Sequence, residues 1–325
     1  MGTHSHNHHH HGHGHSHGEH GHSHPHGVRL DHVETHEGDS RRLLFAALLT
    51  GAFMMAEVIG GLVSGSLALL ADAGHMLADF AGLSMAWIAF RLSRRPANQR
   101  RSYGLARLQV LAAFANGMML MAVAAGIVLE AARRLFAPVD ILTEPMLSVA
   151  ILGLLVNAAG FAILHGGARG NLNMRGAIAH VLSDLLGSVG VIVAALIIMT
   201  LGWAPADPII SALVAMLIGR SAWLLVADAS HVLLEGTPSN IPTAEIEADL
   251  ARHVPGVIEV HHLHVWSLTE ERPMATLHAR LAPQANALAA IRAIKARLAD
   301  RFDIDHATVE VEEGECADLL PDSTH

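Results

Sequence analysis

Long apolar stretches separated by short polar links dominate residues 43–227. A helix needs about 20 mostly apolar residues to cross a membrane. Six segments meet this requirement, and they are residues 43–63, 66–92, 106–131, 146–166, 175–200 and 208–227. The pattern therefore predicts an all-α membrane domain of six spanning helices over residues 41–235.

The pattern changes after residue 236, where charged residues return and the apolar positions become periodic. Two segments have the spacing of amphipathic helices, and three are rich in β-forming residues. In chain order the five predicted elements are Thr243–His253, 257–268, Pro273–Leu281, 285–301 and His306–Glu312. The order αββαβ is typical of a two-layer α+β domain. We assign this domain to residues 236–316 and predict a disordered tail at residues 317–325.

The N-terminal segment has no apolar pattern. Residues 1–36 contain 15 of the 26 histidines, interleaved with Gly and Ser. Such a composition cannot bury a core, so residues 1–40 are predicted to form a disordered tail. The longest histidine run is only four, at residues 8–11, which favours a flexible arm that captures metal near the membrane over an expression tag.

Composition agrees with a membrane protein and argues against nucleic-acid binding and a disulfide framework. Hydrophobic residues make up 51% of the chain and charged residues only 16%, against about 25% charged in soluble domains. The formal net charge of −9 offers no basic surplus for nucleic acid. The single cysteine, Cys316, excludes an intramolecular disulfide framework.

Arginines set the predicted orientation. They crowd the link between the second and third spans, precede the first span, and flank the link between the fourth and fifth. These are Arg91, Arg94, Arg95, Arg100, Arg101 and Arg107, then Arg41 and Arg42, then Arg169 and Arg175. With six spans all three places lie on one side, which the positive-inside rule makes cytoplasmic. Both termini are then cytoplasmic, although Arg133 and Arg134 fall on the other side.

Two apolar spans carry the same pair of ionisable residues. His75 and Asp79 lie four residues apart in the second span, and His180 and Asp184 repeat this spacing in the fifth. Residues four apart share one face of a helix. Two such faces turned toward each other supply two imidazole nitrogens and two carboxylates, a tetrahedral set that suits Zn²⁺. The alternative is that each pair is a polar staple between helices.

Ligand chemistry suggests how such a site would work. Metal ligands must be deprotonated, so binding of metal releases protons. A quartet that faces each side of the membrane alternately would exchange outgoing metal for incoming protons. The sequence has no Gly-x-x-x-x-Gly-Lys-Ser/Thr loop for ATP and no His-Glu-x-x-His motif of a metalloprotease, so we expect no enzyme. A membrane-anchored zinc sensor or storage protein without transport is the competing hypothesis.

These motifs together resemble the cation diffusion facilitator family, and its bacterial zinc and cobalt–zinc–cadmium resistance branch most closely. The resemblance is carried by the six spans, the two His-x-x-x-Asp pairs, the stretch Gly-Ser-Leu-Ala-Leu-Leu-Ala-Asp-Ala-Gly-His-Met at 65–76, and His-His-Leu-His-Val-Trp-Ser at 261–267. It extends from about residue 40 to residue 316.

The resemblance implies a homodimer in the bacterial inner membrane that exports Zn²⁺ in exchange for protons, with a C-terminal domain of metallochaperone-like fold. The quartet would be the transport site, and His75 is the residue associated in this family with preference for zinc over cadmium. Cd²⁺, Co²⁺ and Ni²⁺ remain further candidate substrates. Some members bind zinc in the link between the second and third spans, but here that link has Leu105 and arginines without His or Asp, so that site is not expected.

The resemblance also implies a zinc site in the cytoplasmic domain, where zinc would act as a regulatory ion. Its candidate ligands are His261, His278, Glu310 and Glu312, with Cys316 as an extra ligand. His261 and His278 are expected to meet across the hairpin, with His262 on the opposite face from His261 because strand residues alternate. The alternative is that these are ordinary surface residues of a half-exposed sheet.

The remaining polar residues of the spans receive structural assignments. Asp72 lies nearly on the face of His75 and is expected to support the quartet or line the path to it. Glu57, Asn116 and Asn157 are predicted to hydrogen-bond between helices. We also expect Arg107 and Glu235 to form an ion pair between the membrane and cytoplasmic domains.

Overall fold

The computed structural model describes residues 37–165, 172–269, 272–314, 316 and 318, with the side chains of residues 37–50 and 160–183 excluded. The predicted histidine-rich tail lies outside these residues. Six long helices come first in the chain. They are α1 (Glu37–Ser64), α2 (Leu67–Ser93), α3 (Leu108–Phe136), α4 (Thr143–His165), α5 (Leu172–Leu201) and α6 (Ala206–Leu233).

Length and hydropathy identify several of these helices as membrane spans. In the described residues, four stretches are long and apolar enough to cross a bilayer, and they are Leu67–Ser93, Leu108–Phe136, Asp184–Leu201 and Ala206–Leu233. The described apolar parts of α1 and α4, Gly51–Ser64 and Thr143–Ala159, are shorter. The helical membrane domain predicted from the sequence is confirmed.

The turn between α1 and α2 is fixed by its own residues and by α6. Gly65 has φ +73°, a conformation that glycine adopts without strain. Ser66 then caps α2, since its side chain accepts a hydrogen bond from the Leu69 amide at 3.3 Å. The fully buried carboxylate of Asp207, in the first turn of α6, accepts bonds from Ser66 Oγ at 2.6 Å and from the Leu67 amide at 2.8 Å. An acidic group there also complements the helix dipole, so α2 and α6 are tied at this end.

Small residues bring the helices close together. A Cβ atom at Gly117 of α3 would lie 2.7 Å from Val226 Cγ2 of α6, and one at Gly82 of α2 would lie 2.4 Å from the Asn116 amide of α3. Helices in membranes commonly pack through such positions. The described side chains also confirm one predicted interhelical contact, because Asn157 of α4 donates to Ser188 Oγ of α5 at 3.4 Å.

The C-terminal part has the predicted αββαβ order. Its elements are α7 (Thr243–His253), β1 (Val257–Ser267), β2 (Pro273–Leu281), α8 (Ala287–Phe302) and β3 (His306–Glu312). The sheet order is β1-β2-β3, with β1 and β2 antiparallel and β2 and β3 parallel, which requires the crossover through α8. α8 begins two residues later than predicted because Asn286 caps it, accepting from the Ala289 amide at 3.0 Å.

One core joins the helices and the sheet of this domain. Ile246 and Leu250 of α7, Leu277 of β2, and Ile294 and Leu298 of α8 are at most 1% exposed. The periodic spacing of these buried residues explains why this part of the sequence forms amphipathic elements instead of membrane spans. The sheet is therefore a rigid support for side chains that point away from the helices.

Candidate metal centres

The second span presents His75 and Asp79 together. Both lie on one face of α2, with His75 Nε2 3.4 Å from Asp79 Oδ2. Their side chains are 20% and 23% exposed, so both are partly buried. Residues four apart lie on one face of a helix, so this contact follows from helix geometry alone and does not depend on tertiary structure.

The fifth span completes the contact between helices. Asp184 of α5 has Oδ1 4.0 Å from His75 Nε2 and is 12% exposed. The two spans that carry the repeated motif therefore do face each other. His180 belongs to α5, but its side chain lies outside the described residues, so its place in the quartet stays a prediction.

The chemistry of this first cluster is that of an exchangeable cation site. An imidazole and two carboxylates lie within reach of one another, surrounded by apolar helix. Ionisable groups inside spans are costly and are kept for function. A divalent cation would neutralise both aspartates, and protons could take the same lone pairs when the metal leaves.

A second cluster lies on the cytoplasmic sheet. His261 of β1 and His278 of β2 are directly paired in the register, as expected, with ring centroids 5.6 Å apart. Glu312, at the end of β3, contacts both: its Oε2 is 3.1 Å from His261 Nε2, and its Oε1 is 3.0 Å from His278 Nδ1. His278 and Glu312 are buried.

Cys316 joins this cluster more closely than Glu310 does. One ligand atom from each of His261, His278, Glu312 and Cys316 fits within a set whose members all lie within 4.8 Å of one another. Glu310 is 54% exposed, and its Oε2 is 3.6 Å from His278 Nε2. The structure therefore groups three of the four predicted ligands with the cysteine and leaves Glu310 at the edge.

Two contacts of the second cluster were not foreseen from the sequence. Asp318 Oδ2 lies 3.5 Å from His278 Nε2. His262, predicted on the opposite face, instead stacks on His278 with ring centroids 5.2 Å apart. The prediction was wrong because a register shift interrupts β1 between His261 and His264, and His262 has φ +50°. A β-bulge of this kind breaks the simple alternation of side chains.

The surroundings set the protonation of Cys316. Burial, together with the nearby carboxylates of Glu312 and Asp318, raises the pKa of the Cys316 thiol, although a backbone hydrogen bond at Asp318 acts in the opposite direction. A thiol binds metal as the thiolate. The cluster therefore favours a divalent cation whose charge compensates both the thiolate and Glu312.

Two family descriptions match consecutive parts of this sequence. "Cation efflux transmembrane domain" matches residues 43–234, and "Cation efflux protein, cytoplasmic domain" matches residues 238–314. The first contains both motif-bearing spans, and the second contains the sheet with most of the second cluster.

Three named relatives are similar over most of their length. Zinc transporter ZitB of Pectobacterium atrosepticum is 47% identical over 289 residues, which are 89% of this chain and 90% of that protein. Metal cation efflux system protein CzcD of Cupriavidus metallidurans is 40% identical over 287 residues, covering 88% and 90%. A cadmium, cobalt and zinc/H(+)-K(+) antiporter of Bacillus velezensis is 39% identical over 290 residues, covering 87% and 92%.

Proposed function

The chain belongs to the cation efflux family, and is therefore a multi-pass membrane transporter of metal cations and not an enzyme; from this premise we propose that it exports Zn²⁺ in exchange for protons. Zinc is proposed as the substrate because a relative 47% identical is a zinc transporter. Cd²⁺, Co²⁺ and Ni²⁺ are proposed as further candidates, the first two because another relative carries their names.

The observation that carries the proposal is the meeting of the two repeated motifs. His75 Nε2 of α2 lies 3.4 Å from Asp79 and 4.0 Å from Asp184 of α5. With His180, these residues form the proposed transport quartet. A nitrogen and oxygen set of this kind suits tetrahedral Zn²⁺, and the two aspartates balance its charge.

Proton exchange follows from the same donor atoms. Zn²⁺ and protons compete for the imidazole nitrogens and the carboxylates, so each zinc ion that binds displaces protons. Because the ligands come from two helices, a small change in the relation of α2 and α5 would open the quartet to one side or the other. Metal then moves outward while protons move inward.

The second cluster is proposed to bind zinc as a regulatory ion. His261, His278, Glu312 and Cys316 supply one sulfur, two nitrogen atoms and one oxygen, a donor set suited to zinc. Glu310 remains a proposed additional ligand. We propose that this domain forms a homodimer and lies in the cytoplasm with both termini, below the inner membrane of a bacterium.

The test is zinc uptake by sealed liposomes that contain the full chain. With a pH gradient imposed, an entrapped dye follows Zn²⁺ entering wild-type vesicles and vesicles with Asp184→Ala. Asp228→Ala, which removes an exposed aspartate of α6, is the matched control. We expect gradient-dependent uptake in the wild type and control, and none in Asp184→Ala.

Each alternative gives a different result. Equal uptake in all three proteins would move the transport site away from the quartet. Uptake that ignores the pH gradient would contradict proton exchange. An absence of uptake in the wild type, with zinc still bound, would favour the sensor or storage hypothesis.

A further inference from the structure

The link between α2 and α3 carries positive charge that no acidic residue beside it in the chain balances. The link and the last turn of α2 contain six arginines, and the sequence has no Asp or Glu between residues 80 and 129. One of the six, Arg107, pairs with Glu235. The other five are exposed and form no ion pair with any residue that the structure describes. This arginine cluster consists of Arg91, Arg94, Arg95, Arg100 and Arg101.

Two members of the arginine cluster lie at the end of a membrane span, against aromatic side chains. Arg91 is in the last turn of α2, and Arg94 is the residue that follows the helix. Arg91 Cζ is 5.5 Å from the ring centroid of Trp87, and Arg94 Cζ is 5.8 Å from that of Phe90. Contacts of this kind attract a cation to the ring, and tryptophan is enriched at the membrane–water interface. Both guanidinium groups are therefore placed at the level of the lipid headgroups.

The helix face that carries Arg91 is apolar and exposed over the preceding turns. Phe80, Leu83 and Trp87 are 65%, 53% and 55% exposed. Their spacing of three and four residues places them in one stripe along α2. Arg91 continues this apolar stripe by one more turn. The face therefore offers apolar surface to a hydrocarbon chain and, at its end, a guanidinium group to an anionic headgroup.

Hydrogen bonds and a ring contact hold the rest of the link in a defined shape. Asn98 and Arg101 exchange backbone hydrogen bonds of 3.2 and 3.0 Å. Asn98 Oδ1 also accepts bonds from the amides of Arg100 and Arg101, each at 3.0 Å. Farther along the link, the ring of Tyr103 contacts that of His306 in β3, with centroids 6.4 Å apart. These contacts restrict the link, so its charges stay close to the end of α2.

We propose that the arginine cluster and the apolar stripe of α2 form a binding site for an anionic phospholipid. The headgroup binds at Arg91 and Arg94, because a guanidinium group can donate two parallel hydrogen bonds to a phosphate. A hydrocarbon chain of the same lipid lies along Leu83 and Phe80. Arginines near a membrane surface attract anionic lipids over neutral ones. Nucleic acids and acidic proteins supply negative charge but no hydrocarbon chain, so they match only half of this surface.

The experiment measures which lipid lies beside Trp87 in bilayers that contain the full chain. Brominated lipids quench the fluorescence of a tryptophan that they contact. The parent protein for this test keeps Trp87 as its only tryptophan, and the other three of the four are replaced in Trp203→Phe, Trp223→Phe and Trp266→Phe. Quenching by brominated phosphatidylglycerol, which is anionic, is compared with quenching by brominated phosphatidylcholine, which has no net charge. The ratio of the amounts needed for half quenching gives the lipid preference at this face.

Loss of two arginines should reduce this preference. Arg91→Gln combined with Arg94→Gln removes both charges at the end of α2. The control is Arg133→Gln, because Arg133 is 79% exposed in the last turn of α3 but is paired with Glu130 at 3.6 Å. We expect the parent protein and the control to favour phosphatidylglycerol. The double variant should lower the preference by at least about fivefold, the factor that one arginine contributes near an anionic surface.

Three results would overturn the inference. Equal quenching of the parent protein by both lipids would show that this face does not select anionic lipid. An unchanged preference in the double variant would place the selection elsewhere on the protein. Quenching by neither lipid would show that Trp87 is covered by protein, as it would be if a second copy of the chain packed on this face.

The unaltered chain gives a measurement that needs no substitution. Electron paramagnetic resonance measures the fraction of spin-labelled lipid that the protein immobilises. This fraction should be larger for phosphatidylglycerol than for phosphatidylcholine, and the excess should fall in about 1 M salt because exposed charges are screened. An equal fraction for the two lipids would overturn the inference even if the double variant failed to fold.

Discussion

The two clusters of metal-binding residues differ in the structure that holds them. The membrane cluster joins side chains of two separate helices, α2 and α5, at distances of 3.4 and 4.0 Å from His75 Nε2. The cytoplasmic cluster lies on three paired strands above a shared core, with Glu312 at 3.0 and 3.1 Å from its two histidines. The first set can separate when the helices move, whereas His261, His278 and Glu312 of the second are fixed by the register of one sheet.

This difference agrees with two different tasks. A transported ion must be bound and released in every cycle, so its ligands belong on elements that move relative to each other. An ion that regulates or stabilises is better held by ligands that keep their geometry. The donor atoms differ as well, because only the cytoplasmic cluster includes a thiol, that of Cys316.

The largest expected effect separates the clusters by zinc flux. Asp79→Asn should lower the initial rate of zinc uptake into liposomes by at least about 100-fold, because loss of a ligand exceeds the 10–100-fold cost of losing its supporting residues. Glu312→Gln should leave this rate largely unchanged at saturating zinc. Equal losses in both variants would show that the clusters act as one site and would end the comparison.

The next effect concerns zinc affinity at the sheet. Cys316 is the single cysteine, so protection of its thiol from alkylation reports on this cluster even while the histidine-rich tail also binds zinc. Glu312→Gln should raise the zinc concentration needed for half protection by about 10–100-fold, since Glu312 contacts both histidines. Glu313→Gln, an exposed neighbour, is the control. Alkylation that zinc never slows would remove Cys316 from the cluster.

The contrast between clusters also explains what the sequence could predict. His75 and Asp79 share a helix face through a fixed spacing, and the same spacing at residues 180 and 184 indicated that the two spans meet. His261 and His278 were expected to meet across a hairpin, and they are paired in the register of β1 and β2. In each case a local rule of geometry was sufficient.

Other contacts depend on tertiary structure that no local pattern encodes. The bulge that turns His262 onto His278 arises from a backbone with φ +50°, and histidine itself gives no signal for it. Glu57 of α1 and Asp72 of α2 are both buried in the membrane domain. The sequence predicted an interhelical hydrogen bond for Glu57 and a place beside the quartet for Asp72, but it could not predict how deeply either side chain is buried, which depends on the packing of the helices. Asp318 reaches His278 after β3 has ended, where strand periodicity no longer applies.

The stability of the cytoplasmic domain should depend on pH through Asp249. The bidentate contact with Arg297, aided by Arg301 and His253, holds the pKa of Asp249 below its usual value despite the opposing effect of burial. Because the native pKa lies below the unfolded pKa of about 3.9, the ionised carboxylate stabilises the fold at pH values above the unfolded pKa. This stabilisation is lost as the pH falls through the native pKa. This contact joins α7 to α8, so both helices should open more readily in acid.

Hydrogen exchange of the full chain measures this effect, after correction for the intrinsic pH dependence of exchange. In Asp249→Asn, α7 and α8 should exchange faster than wild type at pH 7, and the difference should shrink as pH falls below the unfolded pKa. Asp300→Asn is the control, because Asp300 on α8 is exposed. A constant difference at all pH values would show that the carboxylate charge of Asp249 is not responsible.

The smallest expected effect lies at the junction between the two regions. Arg107 Nη2 is 2.8 Å from Glu235 Oε1, as the sequence suggested, but these side chains are 35% and 61% exposed. An exposed ion pair contributes roughly 0–1 kcal/mol. Glu235→Gln should therefore change zinc flux and hydrogen exchange at the junction only slightly, and this change should vanish in high salt because exposed charges are screened.

A second substitution at the same residue separates charge from backbone. Glu235 has φ +62°, a conformation that costs about 1–2 kcal/mol for residues other than glycine. Glu235→Gly removes the ion pair and the backbone cost together, so the junction should become more protected from exchange than in Glu235→Gln. If Glu235→Gly instead opens the junction further than Glu235→Gln, the positive φ is not a source of strain, because both variants lack the ion pair and differ only in the backbone freedom of residue 235.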